Sequence, residues 1–178
     1  MQAKLSLVAL LLVSQWSCGR SDPPATQLVG LHEAALVGNL EAIRQHVANG
    51  SNLDEKDAYG STPLIIAATF DRIEVAKALT QAGANLEIGN NDNSTPLHTA
   101  AFFCRTEIVK MLLETGADRN AVNNNGHTPL QTVEVPFENV KGAYDAFGAA
   151  LGPLGLKLDY DQIKTTRPRI AEMLRSES

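Results

Sequence analysis

The chain has little of what chemistry usually requires. Only two cysteines, Cys18 and Cys104, stand among its 178 residues, and if Cys18 is lipidated or removed Cys104 has no partner, so no disulfide framework supports the fold. The histidines are His32, His46, His98 and His127. None lies in an H-E-x-x-H or cysteine-rich pattern, which leaves no metal site to expect. A glycine-rich phosphate loop, a G-x-S-x-G elbow and a paired-carboxylate motif are all missing, so neither a catalytic residue nor a cofactor is predicted. Positive charge is short as well: the formal net charge is −5 and no basic stripe occurs, which excludes a nucleic-acid partner. The apolar run from Leu5 to Val13 is too short to span a bilayer.

What the chain does have is a period. Thr62-Pro63-Leu64, Thr95-Pro96-Leu97 and Thr128-Pro129-Leu130 recur every 33 residues, and so do Gly50, Gly83 and Gly116 and the pairs Ala34-Ala35, Ala67-Ala68 and Ala100-Ala101. Such self-similarity belongs to stacked repeats. Thr before Pro suits a helix start, because the Thr oxygen accepts from an orphan N–H while Pro takes the first helical position, where no N–H is missed. The paired alanines let a neighbouring backbone come close. Ile73, Val75 and Leu79, and then Ile108, Val109, Leu112 and Leu113, form apolar helical stripes that end before Gly83 and Gly116. Two short antiparallel helices per unit follow. The connecting loops, rich in Asn, Asp and Gly, read as hairpin turns, with Asn93 standing where Gly60 and Gly126 stand. Their oxygen-rich side chains do not match the spacing of an EF-hand calcium loop.

These residues resemble the ankyrin repeat family. Asn90 to Val122 is a nearly complete unit, carrying Thr95-Pro96-Leu97-His98, Ala100-Ala101, Glu107-Ile108-Val109, Leu112-Leu113 and Gly116-Ala117-Asp118. Asp57 to Gly89 is a second, with Ile65 for the motif His and Asp71 for a Gly; residues 27–56 form a degenerate first unit, as a terminal cap would. The resemblance implies an all-α solenoid of three to four helix-turn-helix units with β-hairpin loops. It also implies that His98 bonds the Thr95 hydroxyl and ties adjacent units. Cys104 replaces a Gly at the end of a first helix, either as a tolerated corner residue or as a reactive thiol beside Arg105. His46 occupies the place of Leu79 and Leu112, a polar substitution expected of the capping unit.

The fourth unit, residues 123–178, begins correctly and then breaks. Pro136 halts its first helix, and the matching second helix, Arg169 to Leu174, is displaced toward the C-terminus. Residues 137–166 are therefore an insertion. Val140, Tyr144, Phe147 and Leu151 are spaced as one helix, ended by Gly152-Pro153-Leu154-Gly155, and this segment is expected to fold over the last repeat as a lid. Leu156, Leu158 and Ile163 form a short apolar patch before Arg167-Pro168 restarts a helix. The alternative, a disordered tail, is disfavoured by the apolar content.

Residues 1–17 read as an export signal, with Lys4 ahead of the apolar run. Cys18 looks like the lipid-attachment site of a bacterial lipoprotein, although Gln15 and Trp16 depart from that family's pattern; cleavage after Gly19 by the general signal peptidase is the alternative. Residues 18–26 form an extended tether ahead of a repeat domain at 27–178, and localisation in the periplasm or envelope membrane follows.

The function expected from the resemblance is a non-enzymatic module for protein–protein interaction, binding a protein or peptide in the groove of the repeats. The groove positions are Tyr59, Phe70, Asn91, Asp92, Phe102, Phe103, Asn124 and His127. The aromatics among them would be its anchors. Two other classes remain open. One is an adaptor held at a membrane by the lipid on Cys18. The other is a small enzyme, or an enzyme inhibitor, using Asp159, Tyr160, Asp161, Lys164 and Arg167 of the insertion.

Overall fold

A computed structural model describes residues 29–176. The expected export signal, Cys18 and the expected tether lie outside the described residues. Helices α1 (Leu31–Val37) and α2 (Leu40–Ala48) make the first unit, α3 (Pro63–Thr69) and α4 (Ile73–Gln81) the second, and α5 (Pro96–Phe102) and α6 (Thr106–Glu114) the third. The Thr-Pro starts behave as the sequence predicts: the hydroxyl oxygens of Thr62, Thr95 and Thr128 each accept the N–H three residues on, with Pro at the first helical position.

The units stack through their smallest residues. Ala34, Ala35, Ala67, Ala68, Ala100 and Ala101 are all fully buried, and Leu64, Val75, Leu79, Leu97, Ile108, Val109 and Leu112 fill the space beside them. Each unit shares this interior only with its neighbours. The turn between paired helices needs a left-handed residue. Gly38 takes it in the first unit with φ +80°, while Asp71 (φ +57°) and Cys104 (φ +58°) adopt it without glycine's freedom.

The hairpin loops are closed turns, and among the described residues they carry no strand. In each, one residue's N–H donates across the turn to the carbonyl four residues on: Asp57 to Ser61 (3.0 Å), Asn90 to Ser94 (3.1 Å) and Asn123 to His127 (3.0 Å). Gly60 is required twice over, by φ +74° and because a Cβ there would meet the Asn91 backbone nitrogen at 2.8 Å.

The fourth unit opens with α7 (Pro129–Glu134) and stops at Pro136. The insertion follows as α8 (Phe137–Leu151) and a single 3₁₀ turn (Gly152–Leu154), after which α9 (Tyr160–Arg175) packs along α7 and α6 in the place of the missing second helix. One expectation is corrected here. The last helix does not restart at Arg167-Pro168 but begins at Tyr160, with the Asp159 carboxylate accepting the Gln162 N–H at 3.0 Å, and it runs through Pro168. An interior proline costs a helix about 3 kcal/mol. Burial on both sides of it outweighs that cost: Ile163 and Arg167 before it, Ile170, Ala171 and Leu174 after it. Among the described residues no helix is long and apolar enough to cross a membrane.

Candidate functional site

The predicted groove residues separate into two groups. Phe70 and Phe103 are buried, Phe102 is half-buried, and all three lie in an aromatic cluster with Tyr144, Leu156 and Ile163 of the insertion. Phe102 stacks on Tyr144 at 4.5 Å between ring centroids, and Phe137 covers the other side of that tyrosine at 5.7 Å. Phe103 meets Phe147 edge-on at 5.3 Å. The expectation that Phe70, Phe102 and Phe103 offer anchors on an open face is therefore corrected. Burying a large apolar side chain is worth about 1.5–3 kcal/mol, and the chain's own insertion supplies the cover.

Tyr59, Asn91, Asp92, Asn124 and His127 stay exposed. They sit on consecutive hairpin tips, and Tyr59 is 79% accessible. The tips are pinned despite their exposure. Asp57 Oδ1 accepts the Tyr59 and Ser61 N–H groups, each at 2.8 Å, and the Asn124 N–H donates to the Asp92 carbonyl at 2.9 Å. Asn124 Nδ2 donates to the Asn91 carbonyl at 3.1 Å. His98, fully buried, has Nδ1 2.9 Å from the Thr95 hydroxyl and Nε2 2.9 Å from the His127 carbonyl, tying the third unit to the fourth hairpin as the resemblance implies. Burial holds its pKa below the ordinary histidine value. His46 is half-buried and bridges the Ser51 hydroxyl (2.9 Å) and the Val29 carbonyl (2.8 Å).

A second periodic feature runs along the ends of the first helices. The carbonyls of Leu36, Thr69, Phe102 and Val135 are 33 residues apart, and each accepts from a side chain further along the chain. Arg72 Nε reaches Leu36 at 2.9 Å and Arg105 Nη2 reaches Thr69 at 3.0 Å. The next position in that series is Glu138, which cannot donate when ionised. The Tyr144 hydroxyl serves Phe102 instead, and buried Arg167 serves Val135 and Thr132 while donating to the Tyr144 oxygen at 2.9 Å. Neither substitution is visible in the sequence, because both donors lie in or after the insertion, out of register.

The residues that an enzymatic reading singled out do not converge. Asp159 caps α9, Tyr160 donates to Asp145 at 2.7 Å, Lys164 pairs with Glu138 at 3.5 Å, Asp161 is exposed, and Arg167 is buried among carbonyls. Burial pushes the Cys104 thiol up to about 11, which leaves almost no thiolate at neutral pH. Among the described residues, no group of three or more His, Cys, Asp or Glu side chains could hold a metal ion.

Comparison with known proteins agrees with this architecture. A family model described as Ankyrin repeats (3 copies) matches residues 31–123 and 87–133. The human DNA-binding protein RFXANK is 36% identical over 60 residues, 33% of this chain and 23% of that protein. Protein phosphatase 1 regulatory subunit 27, from human and from mouse, is 40% identical over 52 residues, 29% of this chain and 34% of that protein. The chain thus spans only about a quarter to a third of these relatives' length.

Proposed function

Because the chain belongs to the ankyrin-repeat family, we propose that it is a non-enzymatic binding module that holds a protein or peptide partner on its row of hairpin tips. The observation that carries this reading is Tyr59. A large aromatic side chain stands almost wholly in water on a turn whose backbone is fixed by Asp57 and whose Gly60 lies against Asn91. A pre-ordered loop loses little entropy when it binds, and a tyrosine is a frequent anchor of protein interfaces. Asn91, Asp92, Asn124 and His127 continue the row with polar groups able to fix orientation. The regulatory-subunit name of one relative is in keeping with such a role.

The test places a photo-crosslinking phenylalanine analogue at Tyr59 and, as a control, at exposed Arg44 on α2. The partner crosslinked from 59 and not from 44 is identified by mass spectrometry. Its affinity is expected to fall at least about tenfold in Tyr59→Ala/Asp92→Ala, a loss of about 1.4 kcal/mol, with helical circular dichroism unchanged. Equal affinity for the double variant removes the tips from the binding surface.

The module is proposed to act outside the cytoplasm, in the periplasm or anchored to an envelope membrane. The support is the short apolar leader after Lys4 and the position of Cys18 directly behind it. Membrane fractionation of Cys18→Ser tests the anchor: the variant is expected in the soluble fraction, and continued membrane association rules out that lipid.

A further inference from the structure

The aromatic face at the ends of α3 and α5 already holds a helix, and that helix is the chain's own. We propose that this face is an exchange site for an amphipathic helix of another protein, with α8 as its built-in competitor. The proposal rests on the binding-module reading of the family but not on the hairpin tips.

Three observations carry it. First, the site is complete: α8 presents Phe137, Val140, Tyr144, Phe147 and Leu151, at steps of 3, 4, 3 and 4, to the cluster containing Phe70, Phe102 and Phe103. That spacing is one face of any amphipathic helix, so the side chains, not the connectivity, define the fit.

Second, α8 is lightly held. Of its 15 residues only Tyr144 is buried, and no repeat helix has its backbone packed closely along it. Its hold is concentrated in Tyr144 and the rings beside it, and a largely exposed helix held at one point is a segment that opens locally without unfolding the rest.

Third, α8 can leave without the rest. Val135-Pro136 precedes it, and Gly152 through Gly155, the latter at φ +98°, follows it. Beyond that break α9 stays fixed through Ile170, Ala171 and Leu174 in the main core.

The same contacts define the incoming helix. It needs apolar or aromatic residues at the five positions and a tyrosine at the central one, so that a hydroxyl replaces the Tyr144 donor on the Phe102 carbonyl and the acceptor of Arg167. An acidic residue directly after the first aromatic would find Lys164, as Glu138 does at 3.5 Å. A tyrosine-centred, amphipathic helix acidic at its N-terminal end is therefore the partner class.

The probe is a fluorescent synthetic peptide of residues 137–154, titrated into the full chain. With the competitor in place the wild type binds weakly, and Tyr144→Ala, whose α8 no longer holds, is expected to bind at least about tenfold tighter, because the fraction of open sites rises. Tyr59→Ala leaves this affinity unchanged, so failure of the hairpin reading and failure of this one are distinguishable. In the wild type, excess peptide is expected to raise hydrogen exchange of the α8 amides about tenfold while those of Ile170 to Leu174 stay constant. Absence of peptide binding to a Tyr144→Ala chain that keeps its helical signal overturns the proposal. Should that variant lose its helices, wild-type exchange decides alone, and α8 amides that do not respond to peptide overturn it equally.

Discussion

Tyr144, 42 residues downstream in the insertion, donates its hydroxyl to the Phe102 carbonyl, the same place in the repeat where Leu36 and Thr69 accept from Arg72 and Arg105. A lid residue thus completes a pattern that the repeats begin. Removing the hydroxyl alone tests its share. Tyr144→Phe keeps the ring between Phe102 and Phe137 but leaves the Phe102 carbonyl with only the weak Cys104 thiol donor at 3.9 Å, and one N–H of buried Arg167 without its acceptor. An expected loss of about 1–3 kcal/mol follows, read as a lower urea midpoint. An unchanged midpoint would mean that water serves both groups.

Arg167 is buried with no carboxylate of the described residues within pairing distance, and its guanidinium is satisfied by the Thr132 and Val135 carbonyls and the Tyr144 oxygen. Those carbonyls close α7, where the helix dipole favours a cation. Lysine keeps the charge but lacks the planar fork that reaches several acceptors at once. Arg167→Lys is therefore predicted to cost about 1–3 kcal/mol, with proteolytic nicking appearing first in the insertion. Cleavage between the first three units instead would contradict that local assignment.

How much of this was legible depended on register. Thr62, Thr95 and Thr128 announce their helices because capping is local chemistry, and Asp71, Asn93 and Cys104 announce left-handed corners because glycine stands in the matching positions of other units. Phe70 and Phe103 misled for the opposite reason. A groove aromatic and an aromatic under a lid have the same local sequence, and only the path of residues 137–158 decides between them. Arg72 and Arg105, spaced by one period, could have been read as a series; Tyr144 could not, because the insertion breaks the count. Pro168 likewise signals a helix start locally and is overruled by burial on both sides of it.

Asp71 offers a gain of stability. It is exposed, and its φ of +57° lies where a residue with a Cβ is strained by about 1 kcal/mol or more, less for Asp than for most. Gly38 already fills the matching corner of the first unit. Asp71→Gly is expected to raise stability by about 0.5–1 kcal/mol, seen as a higher urea midpoint at constant slope. The opposite sign would show that the carboxylate's field on Arg105 matters more than the backbone.

His98 makes stability depend on pH in a fixed direction. Burial, the largest influence, lowers its folded pKa below the ordinary 6.5, so below about pH 6.5 the unfolded chain binds a proton that the folded chain resists. The sign follows: the unfolded state carries more protons, stability rises with pH, and this contribution is complete above the unfolded pKa and lost as pH falls toward the folded one. Protonation also turns Nδ1 from an acceptor into a donor, so the Thr95 backbone N–H that it accepts at 3.3 Å loses its partner, while Nε2–H keeps the His127 carbonyl and the burial cost remains. Urea unfolding from pH 7.5 to 5 should show a falling midpoint in the wild type and a flatter profile in His98→Gln, whose amide can still reach toward Thr95. A wild-type midpoint that rises on acidification would require another group, with a raised folded pKa, to outweigh this imidazole.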